Sequence, residues 1–417
     1  MKTTQLSALL GVCGLVAAMG SLSAAEWPQW RGPHRDGLCR ETGLLREWPA
    51  GGPPLVWKTT GLGGGYTTPS FAHGLIYGMG YVGKDELAWA LDEKSGKPRW
   101  RTRIAPAFKD MGYAQGPRCT PTVAEDLLFT LSAGGLLSCL DARAGKLLWQ
   151  QDLAKKFGGK MMSNWGYSES PLVDGRQVVC TPGGPQGSVA AFDKRTGRLL
   201  WQSREITDKA SYASLVVANW GGVRQYVQIS DRSVYAVAAR DGRLLWRAAR
   251  KGRTAVVPTP IVAGNLVYVS SGYGVGCNCF EISHLGGKFS ATQRYANKNM
   301  VNHHGGVVLV DGRLYGYSDG KGWVCQDLKS GRMIWNEKKK LGKGAILYAD
   351  GHLYLRYEGS RGTVALIECT PQGYVEKGRF NQPDRTKERS WPHPVIHDGR
   401  LYLRDQGLLL AYDVRAR

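Results

Sequence analysis

The 417-residue chain carries 56 Gly, 19 Pro, 14 Trp and 19 Tyr, a composition suited to many short strands joined by tight turns around an ample core. Its formal net charge of +21 favours contact with anionic surfaces, such as acidic polysaccharide, lipid headgroups, cell-wall polymer or nucleic acid, or else serves as a diffuse solubilising charge, since Lys and Arg are scattered through every repeat. No stretch beyond residue 25 is long and apolar enough to span a membrane, which excludes a helical membrane protein downstream of the N-terminus.

The chain begins with Lys2, an apolar run from Leu6 to about Met19, and small residues up to Ala25. This pattern predicts a secretory signal cleaved after Ala25, with a retained membrane anchor as the alternative. Cleavage would remove Lys2, lowering the formal charge from +21 to +20, and would leave eight of the nine cysteines. Val12 before Cys13 is unlike the small residue that precedes a lipoprotein acylation site.

From residue 55 onward a phrase recurs at about fifty-residue spacing. It reads Ala90-Leu91-Asp92 with Gly96 and Trp100, then Cys139-Leu140-Asp141 with Gly145 and Trp149, Ala191-Phe192-Asp193 with Gly197 and Trp201, and Cys325-Gln326-Asp327 with Gly331 and Trp335. A weaker copy keeps Gly242 and Trp246 but puts Ala238 in the Asp position. Each period holds four strands. The innermost are opened by Thr67-Thr68-Pro69, Thr120-Pro121, Ser170-Pro171, Ser214-Leu215, Thr259-Pro260, Gly305-Gly306, Gly344-Ala345 and Pro392-His393-Pro394. Asp-Gly pairs such as Asp174-Gly175 and Asp311-Gly312 mark the hairpins that follow. Fourth strands end on Trp57, Trp100, Trp149, Trp201, Trp246, Tyr295, Trp335 and Phe380, large flat side chains expected to dock on the neighbouring repeat.

These counts predict an all-β, eight-bladed β-propeller of four-stranded blades. The boundaries are 1–25 for the signal, 26–54 for an N-terminal extended segment and 55–417 for the ring. Leu55-Val56-Trp57 has no blade before it, and Leu410-Ala411-Tyr412-Asp413 is a third strand without a fourth, so the N-terminal strand is expected to complete the last blade. Cys139, Cys279 and Cys325 stand at one equivalent small slot in different repeats, which argues against pairing among them.

The Ala-x-Asp-x-x-Thr-Gly-x-x-x-Trp phrase resembles the pyrroloquinoline-quinone (PQQ) repeat, found in eight-bladed quinoprotein dehydrogenases and in the non-enzymatic propeller subunit of the outer-membrane-protein assembly machinery. The opening Trp27-Pro28-Gln29-Trp30-Arg31-Gly32-Pro33 and the stretch Asn302-His303-His304-Gly305-Gly306 are similar to a secreted bacterial branch of PQQ-like propeller proteins. For a dehydrogenase the resemblance implies PQQ on a Trp floor beneath a disulfide of adjacent cysteines, with Ca²⁺ held by Glu, Asn and Asp and an Asp as base. This chain has no adjacent Cys pair, Cys277 and Cys279 being separated by Asn278, and no haem-attachment Cys-x-x-Cys-His. Glu169 and Asn302 are the oxygen donors that a hard cation could recruit. There is no Walker-type phosphate loop, nucleophile elbow or zinc-helix motif.

Residues just before each innermost strand gather at one mouth of a propeller's channel. Read across the repeats, that position collects Tyr66, Arg118, Asn164, Trp165, Glu169, Asn302, His303, His304, Lys343, Trp391 and His393. Such residues line the polar channel of any propeller or form a ligand site. The insertion Lys155 to Tyr167 is expected to bring Met161, Met162 and Trp165 beside the mouth. On a regular strand His303 and His304 would face opposite ways, unless Gly305-Gly306 makes the backbone irregular. The expectation is a monomeric, periplasmic or secreted binding or scaffolding module that takes an anionic ligand, a glycan or a protein loop at the mouth. No specific nucleic acid, resident cofactor, metal or catalytic residue is expected. The alternative is a PQQ-dependent oxidoreductase, with Ca²⁺, acting on alcohols or sugars.

Overall fold

The aspartate of the repeat phrase explains why each copy folds back on itself. Oδ1 of Asp92, Asp193 and Asp327 accepts hydrogen bonds from both the backbone N–H and the hydroxyl of the Ser or Thr three residues on. Such side-chain-to-backbone bonds fix a tight turn. Asp141, followed by Ala144, keeps the backbone half of the arrangement. The copy with Ala238 lacks the carboxylate yet still closes its turn through Gly242 N–H to the Ala238 carbonyl, at 2.9 Å.

The computed structural model describes residues 26–108 and 115–416; the expected signal, residues 1–25, lies outside the described residues. Eight antiparallel four-stranded sheets form the blades of a propeller. Their innermost strands are Ser70–Ala72, Thr122–Ala124, Leu172–Asp174, Val216–Trp220, Ile261–Ala263, Val307–Val310, Gly344–Ala349 and Val395–His397, each at or just after its expected opener. The Thr and Ser of several openers tie one blade to the next. Thr120 N–H donates to Ser170 Oγ, Ser170 N–H to Ser214 Oγ, and His393 N–H to Thr68 Oγ1, the last joining blade 8 to blade 1. The ring closes as expected: Leu55–Thr59 pairs antiparallel with Leu408–Asp413, with Trp57 opposite Ala411. A four-residue helix, Leu153–Lys156, N-capped by Asp152, opens the insertion between the fourth strand of blade 2 and the inner strand of blade 3.

The fourth-strand aromatics hold neighbouring blades together. Trp100, Trp149, Trp201, Trp246, Tyr295 and Trp335 each stand across from the small residue of their own third strand: Ala90, Cys139, Ala191, Ala236, Cys279 and Cys325. The recurring cysteines therefore occupy one small slot under an aromatic, and all eight described cysteines are unpaired. The rings then reach the next blade. Trp149 lies under the turn glycine Gly197, whose φ is +71° and where a Cβ would come within 2.7 Å of the indole. Its Nε1–H donates to the Lys194 carbonyl of that turn at 3.1 Å. Trp100 repeats the pattern with Gly145 and the Ala142 carbonyl.

The 26–54 segment is more than an extension. Residues 27–39 cross the central channel and touch every blade. Trp27 exchanges two backbone hydrogen bonds with Phe71 of blade 1, and Pro28 accepts one from Val123 of blade 2. The Arg35 guanidinium donates to the Ser170 and Pro171 carbonyls of blade 3 and to Leu215 of blade 4. Trp30 Nε1–H bonds Thr259 Oγ1 of blade 5, and Arg31 donates to the Val307 carbonyl of blade 6. Leu38–Cys39 adds a parallel strand inside blade 7, and Trp30 packs on His393 of blade 8 with ring centres 4.6 Å apart. Both arginines are buried, which lowers each pKa to about 10 and leaves both charged at neutral pH.

Removing residues 26–60 takes away both the plug and the closing strand. The truncated chain is expected to lose a share of stability comparable with the ~5–15 kcal/mol of a whole native fold. Thermal or urea unfolding that matches the full chain would contradict this closure. Trp149→Ala is expected to cost about 3 kcal/mol, the lower end of the range for aromatic truncation because the ring is only partly buried. Gly197→Ala should also destabilise, through its positive φ and its clash with the same indole. Urea melts of the two single variants and the double variant check the shared cause, since their losses should not add.

Candidate functional site

Because the first strand of each blade starts at one face and the second returns to it, that face collects both the residues before strand 1 and the turns after strand 2. There the plug stops short of the surface and leaves a bowl of about 320 Å³. Every blade contributes to its wall, and Trp30 of the plug belongs to its lining. Of the expected residues, Tyr66, Arg118, Trp165, His303, His304, Lys343, Trp391 and His393 line this bowl.

The other three do not line it. Asn164 is exposed outside the bowl. Glu169 is buried beneath it, where its carboxylate accepts from the Thr181 N–H and hydroxyl and from Gln228 Nε2. Burial pushes its pKa up to about 7 despite those bonds and the nearby Arg35. Asn302 is also buried and spends its amide on the Gly306 N–H and on the Gly306 and Tyr317 carbonyls. Both residues shape the loops that carry the wall. The insertion delivers only Trp165, since Met161 bridges to Ala210 and Met162 N–H bonds the Ala210 carbonyl.

Aromatic rings follow one another around the mouth. Tyr273 meets His303 edge-on at 4.9 Å, His303 and His304 lie 4.9 Å apart, and His304 lies 5.4 Å from Trp391. Trp391 is 4.6 Å from Tyr66, and the Arg118 guanidinium sits between Tyr66 and Trp165, at 5.7 and 5.8 Å from their ring centres. Both histidines reach the bowl because residues 301–306 are irregular, with Gly306 at φ +77°. Gly305 allows the close approach to blade 7, where a Cβ would overlap the Gly344 carbonyl oxygen at 1.8 Å.

Two polar groups hold the histidines. Glu358 Oε2 accepts from His304 Nε2 at 2.7 Å and from Trp391 Nε1 at 2.8 Å. Burial would raise the Glu358 pKa, but these partners and Lys343 outweigh it and bring it to about 2. Lys343 Nζ lies 2.6 Å from Asp319 and 3.2 Å from His303 Nδ1. Burial, then His304 and Lys343, push the His303 pKa down to about 4. Burial and Arg31 take His393 to about 3. At neutral pH both rings are therefore uncharged hydrogen-bonding groups. Arg118, Lys343, Arg389 and Glu358 are the charged lining residues, and two further carboxylates stand behind the wall, Asp319 on Lys343 and Glu388 on the Tyr66 hydroxyl.

Reading only the positions before the inner strands misses Trp30, Tyr273 and Glu358; Arg389 stands two residues ahead of Trp391 in the lead-in to blade 8, just upstream of the position read. Tyr273 and Glu358 follow second strands, at Leu266–Ser271 and His352–Tyr357, so the return of each hairpin to the same face was the signal available. Trp30 lies outside the repeat register and gave none.

A histidine whose folded pKa is depressed binds protons more weakly than the unfolded chain. Its contribution to stability is therefore lost as pH falls from the ordinary 6.5 through about 4. An NMR titration of the His303 ring is expected to show its midpoint near 4, moving upward in Lys343→Met but staying below the ordinary value because burial remains. A midpoint at the ordinary value in the unaltered protein would contradict the arrangement.

Comparison with known proteins agrees with this architecture. Residues 84–337 match the family profile described as "Outer membrane protein assembly factor BamB". The protein of that name from Shewanella oneidensis is 26% identical over 385 residues, covering 86% of this chain and 88% of its own. The BamB crystal structure from Moraxella catarrhalis superposes with a TM-score of 0.58 at 14% identity, over 87% of this chain and 99% of that one. The quinohemoprotein alcohol dehydrogenase of Comamonas testosteroni superposes with a TM-score of 0.63 at 11% identity, over 94% of this chain and 81% of its own. At these identities the two structures show a shared fold alone.

Proposed function

Since this chain belongs to the propeller family described as outer membrane protein assembly factor BamB, we propose that it is a binding or scaffolding module that takes its ligand at the mouth of the ring. The observation that carries the reading is the blind, aromatic bowl to which all eight blades contribute and which Arg118 lines. A rigid ring that presents convergent loops is a common way to build a binding site. The Shewanella relative bears the name of an assembly factor, which supports a protein partner for this chain as well. A periplasmic or secreted location and a monomeric state form part of the proposal. Among the described residues no helix is long and apolar enough to cross a membrane.

The quinone-dependent alternative has one observation in its favour: Trp30 and Arg118 would suit a flat, carboxylated ring. The residues do not fit the accompanying cation. Glu169 and Asn302, the expected oxygen donors, are buried and engaged by Thr181, Gln228 and the backbone of Gly306 and Tyr317. Among the described residues no group of three or more His, Cys, Asp or Glu could hold a metal ion. We therefore propose a module without a resident cofactor.

A photo-crosslinking residue at Tyr273, on the rim of the bowl, is expected to capture a partner or ligand that the same residue at Lys94, in a phrase turn, does not. Partner contacts confined to the phrase-turn side or the outer rim would sink this reading. Ca²⁺-dependent dye-linked oxidation of alcohols after incubation with PQQ would establish the alternative.

A further inference from the structure

Resting on the binding reading, we propose that the bowl recognises one acidic sugar ring, a hexuronate or similarly carboxylated pyranose, free or at the end of a polysaccharide chain. The first argument is shape. The channel is blocked by the plug, so a polymer cannot thread through the ring and only an end or a branch can enter. At about 320 Å³ the bowl lies at the small end of ligand sites. That volume suits a compact ring rather than a folded peptide loop.

The second argument is the wall. A pyranose has apolar C–H faces and a polar rim, and it needs flat apolar surface beside hydrogen-bonding groups. The mouth offers both: Trp391 against Tyr66, and Tyr273 against His303, with Trp30 in the lining. Aromatic side chains with a polar edge suit such amphipathic partners. His303 is neutral and accepts at Nδ1 from Lys343, so its other ring nitrogen, Nε2, carries an N–H that can donate to a hydroxyl without adding charge.

Charge supplies the third argument. Arg118, held by the Trp165 carbonyl at 2.8 Å between two rings, presents a guanidinium to the bowl. Guanidinium groups favour carboxylates through charge-assisted hydrogen bonds. Lys343 is already paired with Asp319, so within the bowl the preference rests on Arg118, while the basic chain as a whole attracts polyanions from a distance. An extended acidic peptide fits less well. Peptide capture by strand addition needs an open sheet edge, whereas the plug touches the inner strand or its lead-in in every blade.

Titration of the full chain, followed by tryptophan fluorescence and calorimetry, tests this with galacturonate, a galacturonate trimer, a neutral galactose trimer, an oligoglutamate peptide and PQQ. Saturable binding of the acidic sugars, at least about tenfold tighter than the neutral trimer, is expected. A trimer that outcompetes the monomer points to a polysaccharide end, and equal affinity points to the free acid. Arg118→Gln should remove the preference for acid over neutral sugar. Tyr273→Ala, at an exposed rim position, should weaken both sugars while leaving the melting temperature unchanged. That second variant keeps the test decisive if Arg118→Gln fails to fold. Equal affinity for acidic and neutral sugars overturns the inference, as does acidic-sugar binding that Tyr273→Ala leaves unaltered. If oligoglutamate or PQQ binds at the bowl and neither acidic sugar does, the sugar assignment falls but the bowl remains a binding site. If no probe binds and crosslinks form only on other faces, both readings fall.

Discussion

A propeller ring has an inner wall made of strand edges, and the carbonyl and N–H groups along those edges need partners once the channel is closed to water. Here a single stretch of chain, residues 27–39, supplies them. Backbone pairing serves blades 1, 2 and 7, and side-chain donors serve the carbonyls or hydroxyls of blades 3 to 6. The fork of Arg35 reaches two blades at once. Two buried cations in such a place would be costly if left without acceptors. Strand carbonyls converging from several blades supply the acceptors, so ring closure and arginine burial depend on each other.

Around the periphery the repeat phrase links a local turn to a blade-to-blade contact. Asp sets the turn, Gly adopts the positive φ that the turn requires, and the aromatic of the preceding blade lies against that Gly. Where the aromatic is a smaller ring the device adapts. Tyr295 lies against Gly331 and donates its hydroxyl to the Leu328 carbonyl, and Phe380 lies against Gly52 and packs edge-on against Trp48 of the N-terminal segment. The N-terminal segment thus supports the blade 7 to blade 8 seam as well as the channel.

Blade number, strand openers, aromatic anchors and the closing strand were all legible because the repeat imposes the same chemistry at a fixed register. The mouth was legible in part for the same reason: Tyr66, Arg118 and Lys343 occupy equivalent positions, and the ring brings equivalent positions together. Glu169 and Asn302 occupy those positions too, yet their side chains turn inward. Glu169 finds donors in Thr181, just after the second strand of its blade, and in Gln228 of blade 4, while Asn302 finds N–H and carbonyl partners in Gly306 and Tyr317, and composition does not reveal that competition. The plug was hidden for a different reason. Trp30, Arg31 and Arg35 belong to no repeat, so periodicity carries no information about where that stretch lies.

The plug also couples the fold to the site. Arg31 fixes the floor by bonding the Val307 carbonyl, and its charge helps keep the neighbouring His393 ring neutral. Trp30, three residues from the Trp27 pairing with blade 1 and joined to Thr259 of blade 5, contributes to the bowl a surface that the same segment holds in place from both sides. The floor therefore cannot shift without disturbing contacts on opposite sides of the ring. The turns that carry Tyr273 and Glu358 are tied to the ring only through their own hairpins and neighbouring loops. Any adjustment to a ligand is therefore expected from the wall, over a floor fixed by the same contacts that close the channel.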